Sequence, residues 1–107
     1  MSSFRQLSQM KLNALRPGME NIELDIEIIS IGKPREVETY SGLKHIILEG
    51  EIRDETGSIG LTVWNETITE IQKVKPGENA KLVNCFITSY KGVLSVNIGR
   101  ESTIEQQ

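Results

Sequence analysis

With a single cysteine, Cys85, this chain forms no intrachain disulfide and builds no cysteine-based zinc site. That usage fits an intracellular setting, cytoplasmic or, in a eukaryote, nuclear. No apolar run approaches the ~20 residues that cross a bilayer, and the N-terminus lacks the charged-then-apolar order of a secretory signal. Histidine also occurs once, as His45. General acid–base work needs an oriented partner, so His45 reads as a solvated strand residue. Glycine forms no phosphate-cradling loop, and the acidic stripe Glu23, Asp25 and Glu27 reads as one face of a strand rather than a metal site. The expectation is a protein that is not an enzyme, with no cofactor and no metal.

Positive charge is scarce too. Twelve Lys and Arg stand against fifteen Asp and Glu, a net charge of −3. Coating a duplex by bulk positive charge needs clustered cations, so that class is excluded, while a local basic groove is not. Aromatics number only five: one Trp, two Tyr and two Phe. Their placement therefore carries information.

What the chain does have is alternation. In residues 22–31, Ile22, Leu24, Ile26 and Ile28 alternate with acids, and then the phase slips to Ile29 and Ile31. A one-residue slip inverts every later side chain, so a bulge is expected near Ile28 and Ile29. Residues 44–53 form a second strand, with Ile46, Leu48 and Ile52 on one parity and Ile47 breaking it. The turn Asp54-Glu55-Thr56-Gly57 delivers a third strand that ends in Trp64. Asn65 is a candidate N-cap for a short helix presenting Ile68 and Ile71, closed by Lys75-Pro76-Gly77. Residues 79–89 and 93–98 are the fourth and fifth strands, joined at Tyr90-Lys91-Gly92. Residues 1–10 read as a flexible N-terminus, 11–100 as one domain in which Leu12 and Leu15 pack, and 101–107 as a frayed end. Five strands with one short helix between the third and fourth predict an all-β Greek-key barrel of the OB type. A split sandwich of similar strand count is the competitor, and the bend in the first strand and the helix position favour the barrel.

Parity then sorts the aromatics. With Ile59, Leu61 and Val63 facing the core, Trp64 points out. With Val83, Cys85 and Ile87 inward, Phe86 and Tyr90 point out, because the opposite choice would bury Asn84 and Thr88. Cys85 becomes a small buried hydrophobe. Exposed rings on a sheet are what unpaired bases stack on, at about 1–3 kcal/mol each.

The chain resembles the archaeal single-OB-fold single-stranded DNA-binding proteins and their eukaryotic relatives in the sensor-of-single-stranded-DNA complexes, and is similar to the OB domains of replication protein A. The resemblance rests on Leu15-Arg16-Pro17-Gly18-Met19, Asp54-Glu55-Thr56-Gly57-Ser58-Ile59, Leu61-Thr62-Val63-Trp64, Lys75-Pro76-Gly77-Glu78 and Tyr90-Lys91-Gly92. It implies base stacking on Trp64, Phe86 and Tyr90, and phosphate contacts from Arg35, Lys44, Lys91 and Arg100. It further implies single-stranded DNA as partner with little sequence preference, a role in replication, recombination and repair, no membrane partner, further replication or repair proteins, and a monomer. Some eukaryotic members carry another aromatic where this chain has Asn97. An RNA-binding OB module, or a protein-interaction module of a replication-protein-A-like assembly, is the alternative.

Overall fold

The computed structural model describes residues 8–107. Its strands are β1 (Ser8–Gln9), β2 (Ile22–Ile31), β3 (Arg35–Glu38), β4 (Lys44–Asp54), β5 (Gly57–Trp64), β6 (Asn79–Tyr90), β7 (Val93–Ile98) and β8 (Thr103–Gln106). The sheet runs β1-β2-β4-β5-β7-β6-β8, and an additional β2–β6 pairing closes β2, β4, β5, β7 and β6 into a five-stranded barrel. All barrel pairings are antiparallel except the parallel β5–β7 pair. Among the described residues no helix is long and apolar enough to cross a membrane.

The interior is aliphatic. Leu24, Ile28, Leu48, Ile52, Leu61, Val63, Leu82, Val96 and Ile98 are fully buried, each contributing on the order of 1.5–3 kcal/mol by leaving water. The slip in the first strand is a register shift between Ile28 and Ser30 against β4, where the strand bends. There Gly50 lets the two backbones approach, since a Cβ on it would lie 2.5 Å from the Ser30 carbonyl oxygen.

Two short elements cover the barrel. The 3-10 turn Leu12–Ala14 buries Leu12, and Leu15 follows it inside. Leu12 N–H donates to Asp54 Oδ2 at 2.9 Å and Asn13 N–H to Thr56 Oγ1 at 3.1 Å, so the tight β4–β5 turn holds this segment. The 3-10 turn Asn65–Thr67 leads into α1 (Ile68–Ile71), which buries Ile68 and Ile71 as the spacing predicts.

Several expectations are corrected. Asn65 does not cap a helix: its φ is +52 and its side chain turns back to β4. The helix lies between β5 and β6, but the unexpected β3 makes it follow the fourth strand counted from Ile22, not the third. The C-terminal residues read as frayed instead form β8, paired from Ala80–Gln106 to Val83–Thr103. Of the segment read as a flexible N-terminus, residues 1–7 lie outside the described residues, while Ser8 and Gln9 pair in parallel with β2. In β6 the parity is not uniform. Ala80 and Leu82 face inward, Asn84 takes φ +65, and Cys85 and Ile87 face inward after it. Val83, expected inside, is only half-buried.

Candidate nucleic-acid interface

The outer face of the barrel can be followed strand by strand through register, because directly paired residues share a face. Arg35 pairs with Ile47 and Val37 with His45. Ile47 pairs with Trp64 and Glu49 with Thr62. Thr62 pairs with Asn97 and Gly60 with Ser95. Asn97 pairs with Phe86, Ser95 with Thr88 and Val93 with Tyr90. One continuous surface therefore runs from Arg35 on β3, across Trp64 on β5, to Phe86 and Tyr90 on β6. Ile47, which breaks the alternation of its strand, is buried on this outer face opposite Trp64.

Trp64 is half-buried and held from two sides. Its Nε1 donates to Asn97 Oδ1 at 3.0 Å, and the His45 ring stands edge-on to it, centroids 5.7 Å apart at 84°. Asn97 is 3% exposed. Its Nδ2 donates to Thr88 Oγ1 at 2.9 Å, with longer contacts to the Ser95 and Phe86 carbonyls at 3.2 and 3.4 Å. Asn97 is thus a buried amide joining β5, β7 and β6. Between the rings, the Thr62 and Ser95 hydroxyls lie 3.1 Å apart and form a polar floor.

Phe86 is 37% exposed and Tyr90 75%. The Phe86 ring lies over Gly99, where an added Cβ would sit 3.6 Å from Cε1. Tyr90 ends β6 at the two-residue Lys91-Gly92 turn, whose φ values of +52 and +81 suit the twist of a tight hairpin. Lys91 Nζ stands 5.4 Å from the Tyr90 ring centroid, placing a cation against a ring.

The basic residues are less uniformly placed. Arg35 shares the face with Trp64 but is engaged by Glu49, Nη2 to Oε1 at 2.9 Å. Lys44 pairs with Glu38, out of phase with Arg35, and so leaves the β3–β4 hairpin on its opposite side. Arg100 is highly exposed beyond β7 and approaches Glu66 at 3.9 Å. Beside Phe86 a groove of about 650 Å³ continues between Met19, Asn84, Gly99 and Arg100. Cys85 lies beneath that groove, buried, its thiol pushed up to about 12 by burial.

The sequence reading took His45 for a solvated residue and Asn65 for an N-cap, and did not connect Asn97 with Trp64. Ile46 N–H donates to Asn65 Oδ1 at 3.0 Å, and Asn65 Nδ2 lies 3.1 Å from His45 Nδ1. His45 is thus part of the Trp64 setting and not a solvated strand residue. Only the parity of residue 45 with Ile47 pointed there.

The family profile described as "Single-stranded DNA binding protein Ssb-like, OB fold" matches residues 15–106, nearly the whole chain and every barrel strand. The chain belongs to this Ssb-like OB-fold family. It is 28% identical over 96 residues to "Single-stranded DNA binding protein Ssb" of Saccharolobus solfataricus, covering 90% of this chain and 62% of that protein. It is 26% identical over 112 residues to "Replication factor A" of Methanothermobacter thermautotrophicus, covering 96% of this chain and 14% of that protein. The chain thus spans under two thirds of the length of these two relatives. In solved structures, the replication factor A related protein from Methanobacterium thermoautotrophicum superposes with a TM-score of 0.78 at 22% identity, over 94% of this chain and 91% of that one. The Ssb-like membership and the barrel agree on the architecture.

Proposed function

We propose that this chain binds single-stranded DNA with little sequence preference, stacking successive bases on Trp64, Phe86 and Tyr90. The observation that carries the reading is the shared outer face: register puts all three rings on one surface, with a hydrogen-bonded polar floor between them. Every base has a π-face, so such a surface takes any sequence. Membership in the Ssb-like family and the name of the Saccharolobus relative support the same partner. Arg35, Lys91 and Arg100 pair with phosphates along the path. Lys44 reaches phosphate only where the strand passes round the β3–β4 hairpin. One domain of this kind occludes about 4–16 nucleotides. Its work is to shield exposed strands in replication, recombination and repair, as a monomer or within a larger assembly of replication proteins.

Trp64 emission reports directly on this reading. Titration with oligo-dT should quench it strongly, whereas a duplex of equal length should not. Matched oligo-rU decides between deoxyribose and ribose. A well-folded protein whose emission and mobility ignore oligo-dT would sink the proposal.

A further inference from the structure

His45 carries a donor that meets no acceptor among the described residues. The chain of constraint starts at the backbone. Ile46 N–H needs an acceptor and takes Asn65 Oδ1 at 3.0 Å, which fixes the amide so that its NH2 faces His45. Asn65 reaches this position because its left-handed backbone, φ +52, folds the side chain back over β4. Amide nitrogen only donates, so His45 Nδ1, 3.1 Å away, accepts. The ring is then the tautomer with its hydrogen on Nε2. Across the imidazole from Asn65, Nε2–H meets no acceptor among the described residues, although the ring is only half-buried. It stands edge-on to Trp64, and Val37, its pairing partner, lies one alternation from Arg35 on the same face.

We propose that His45 Nε2–H is a nucleotide-binding donor, directed at a phosphate oxygen of the nucleotide seated on Trp64. This rests on the single-stranded DNA reading above. A phosphate oxygen is the acceptor that fits it, because every nucleotide presents one, whereas base acceptors differ from base to base. The donor is fixed in direction by Asn65, and complements the Arg35 cation, which Glu49 engages. Asn65 is its positioning residue.

Two variants separate the donor from the ring. His45→Phe keeps an aromatic edge against Trp64 and removes the N–H. His45→Gln loses the ring but places an amide N–H near the position of Nε2. Affinities come from the anisotropy of labelled oligo-dT, oligo-dA and oligo-dC, with thermal melting to confirm that each variant folds. The expected result is a loss of about tenfold or more for His45→Phe, the cost of a hydrogen bond to a charged group. It should be equal for the three oligonucleotides and largely restored in His45→Gln. Parent-like binding by His45→Phe overturns the proposal, as does an equal loss in both variants, which would make the residue a prop for Trp64. A loss that depends on the base overturns the phosphate assignment. Nitrogen NMR of the free protein adds an independent check, since a hydrogen on Nδ1 would also overturn it. Failure of the parent to bind any oligonucleotide would instead remove the function proposed above.

Discussion

Trp64 Nε1 donates to Asn97 Oδ1 at 3.0 Å, so the indole on β5 is aligned by a buried amide on β7. The amide is used from both ends, since its Nδ2 is shared among Thr88, Ser95 and Phe86. Asn97→Ala should lower stability by about 1–3 kcal/mol, the cost of stranding part-buried polar groups. Asn97→Asp should cost more, because it sets a carboxylate oxygen against two carbonyl oxygens. Denaturant melts rank the two variants, and Asn97→Ala, which removes the acceptor of Trp64 Nε1–H, should also weaken oligo-dT binding through a loosened Trp64.

Arg35 is held by Glu49 on the proposed DNA face. A phosphate must compete with that carboxylate for the guanidinium. Glu49→Gln should therefore tighten oligo-dT binding at low salt by up to about fivefold, since exposed ion pairs are worth about 0–1 kcal/mol. The salt dependence should steepen as Arg35 becomes a full phosphate contact. Binding isotherms at several salt concentrations test both points.

Asp54 ties the N-terminal turn to the barrel. Burial pushes its carboxyl upward, but the Thr56 hydroxyl, the Leu12 and Thr56 N–H groups and Lys11 outweigh that and hold it below the usual carboxylate range. A depressed folded value gives stability that is present above the unfolded value, about 3.9, and is lost as pH falls through the folded value. Acid should loosen the segment around Leu12 below about pH 4, seen as faster amide exchange there. Asp54→Ala should show the loosened state at neutral pH, with a loss of about 1–3 kcal/mol.

Gly50 sits where β2 bends across β4, with the Ser30 oxygen 2.5 Å from any added Cβ and Ile31 Cα at 3.4 Å. Backbone cannot step aside as a side chain can. Gly50→Ala should destabilise by roughly 1–3 kcal/mol, as overpacking does, and lower the melting temperature. Gly60→Ala serves as the control, because its Cβ would meet only the Ser95 hydroxyl at 4.0 Å.

The barrel was legible wherever alternation and burial coincide. Ile59, Leu61 and Val63, or Leu94, Val96 and Ile98, declare their strands directly, and the phase slip after Ile28 announced the bend. Strands held by backbone pairing alone left little trace. In β3 only Val37 is apolar, and in β8 only Ile104. The parity of β6 was misread before Asn84, because its left-handed backbone inserts a residue that no periodicity reveals. Phe86 and Tyr90 follow that insertion, so their outward parity was unaffected. What could not be read was cross-strand register. The triad His45, Trp64 and Asn97 comes from three strands, and one sequence does not say which residues of separate strands meet.

The parallel β5–β7 pair has a kinetic consequence. It joins positions as far apart as Gly60 and Ser95, 35 residues, and no hairpin turn brings them together. Loop-closure entropy must be spent before this contact returns anything, so closure belongs late in folding, on the slower timescale of topologies dominated by distant pairings. Trp64 lies on one side of that seam, and Phe86 and Tyr90 on the other. A nascent or half-folded chain can own all three rings and still lack the surface they form together.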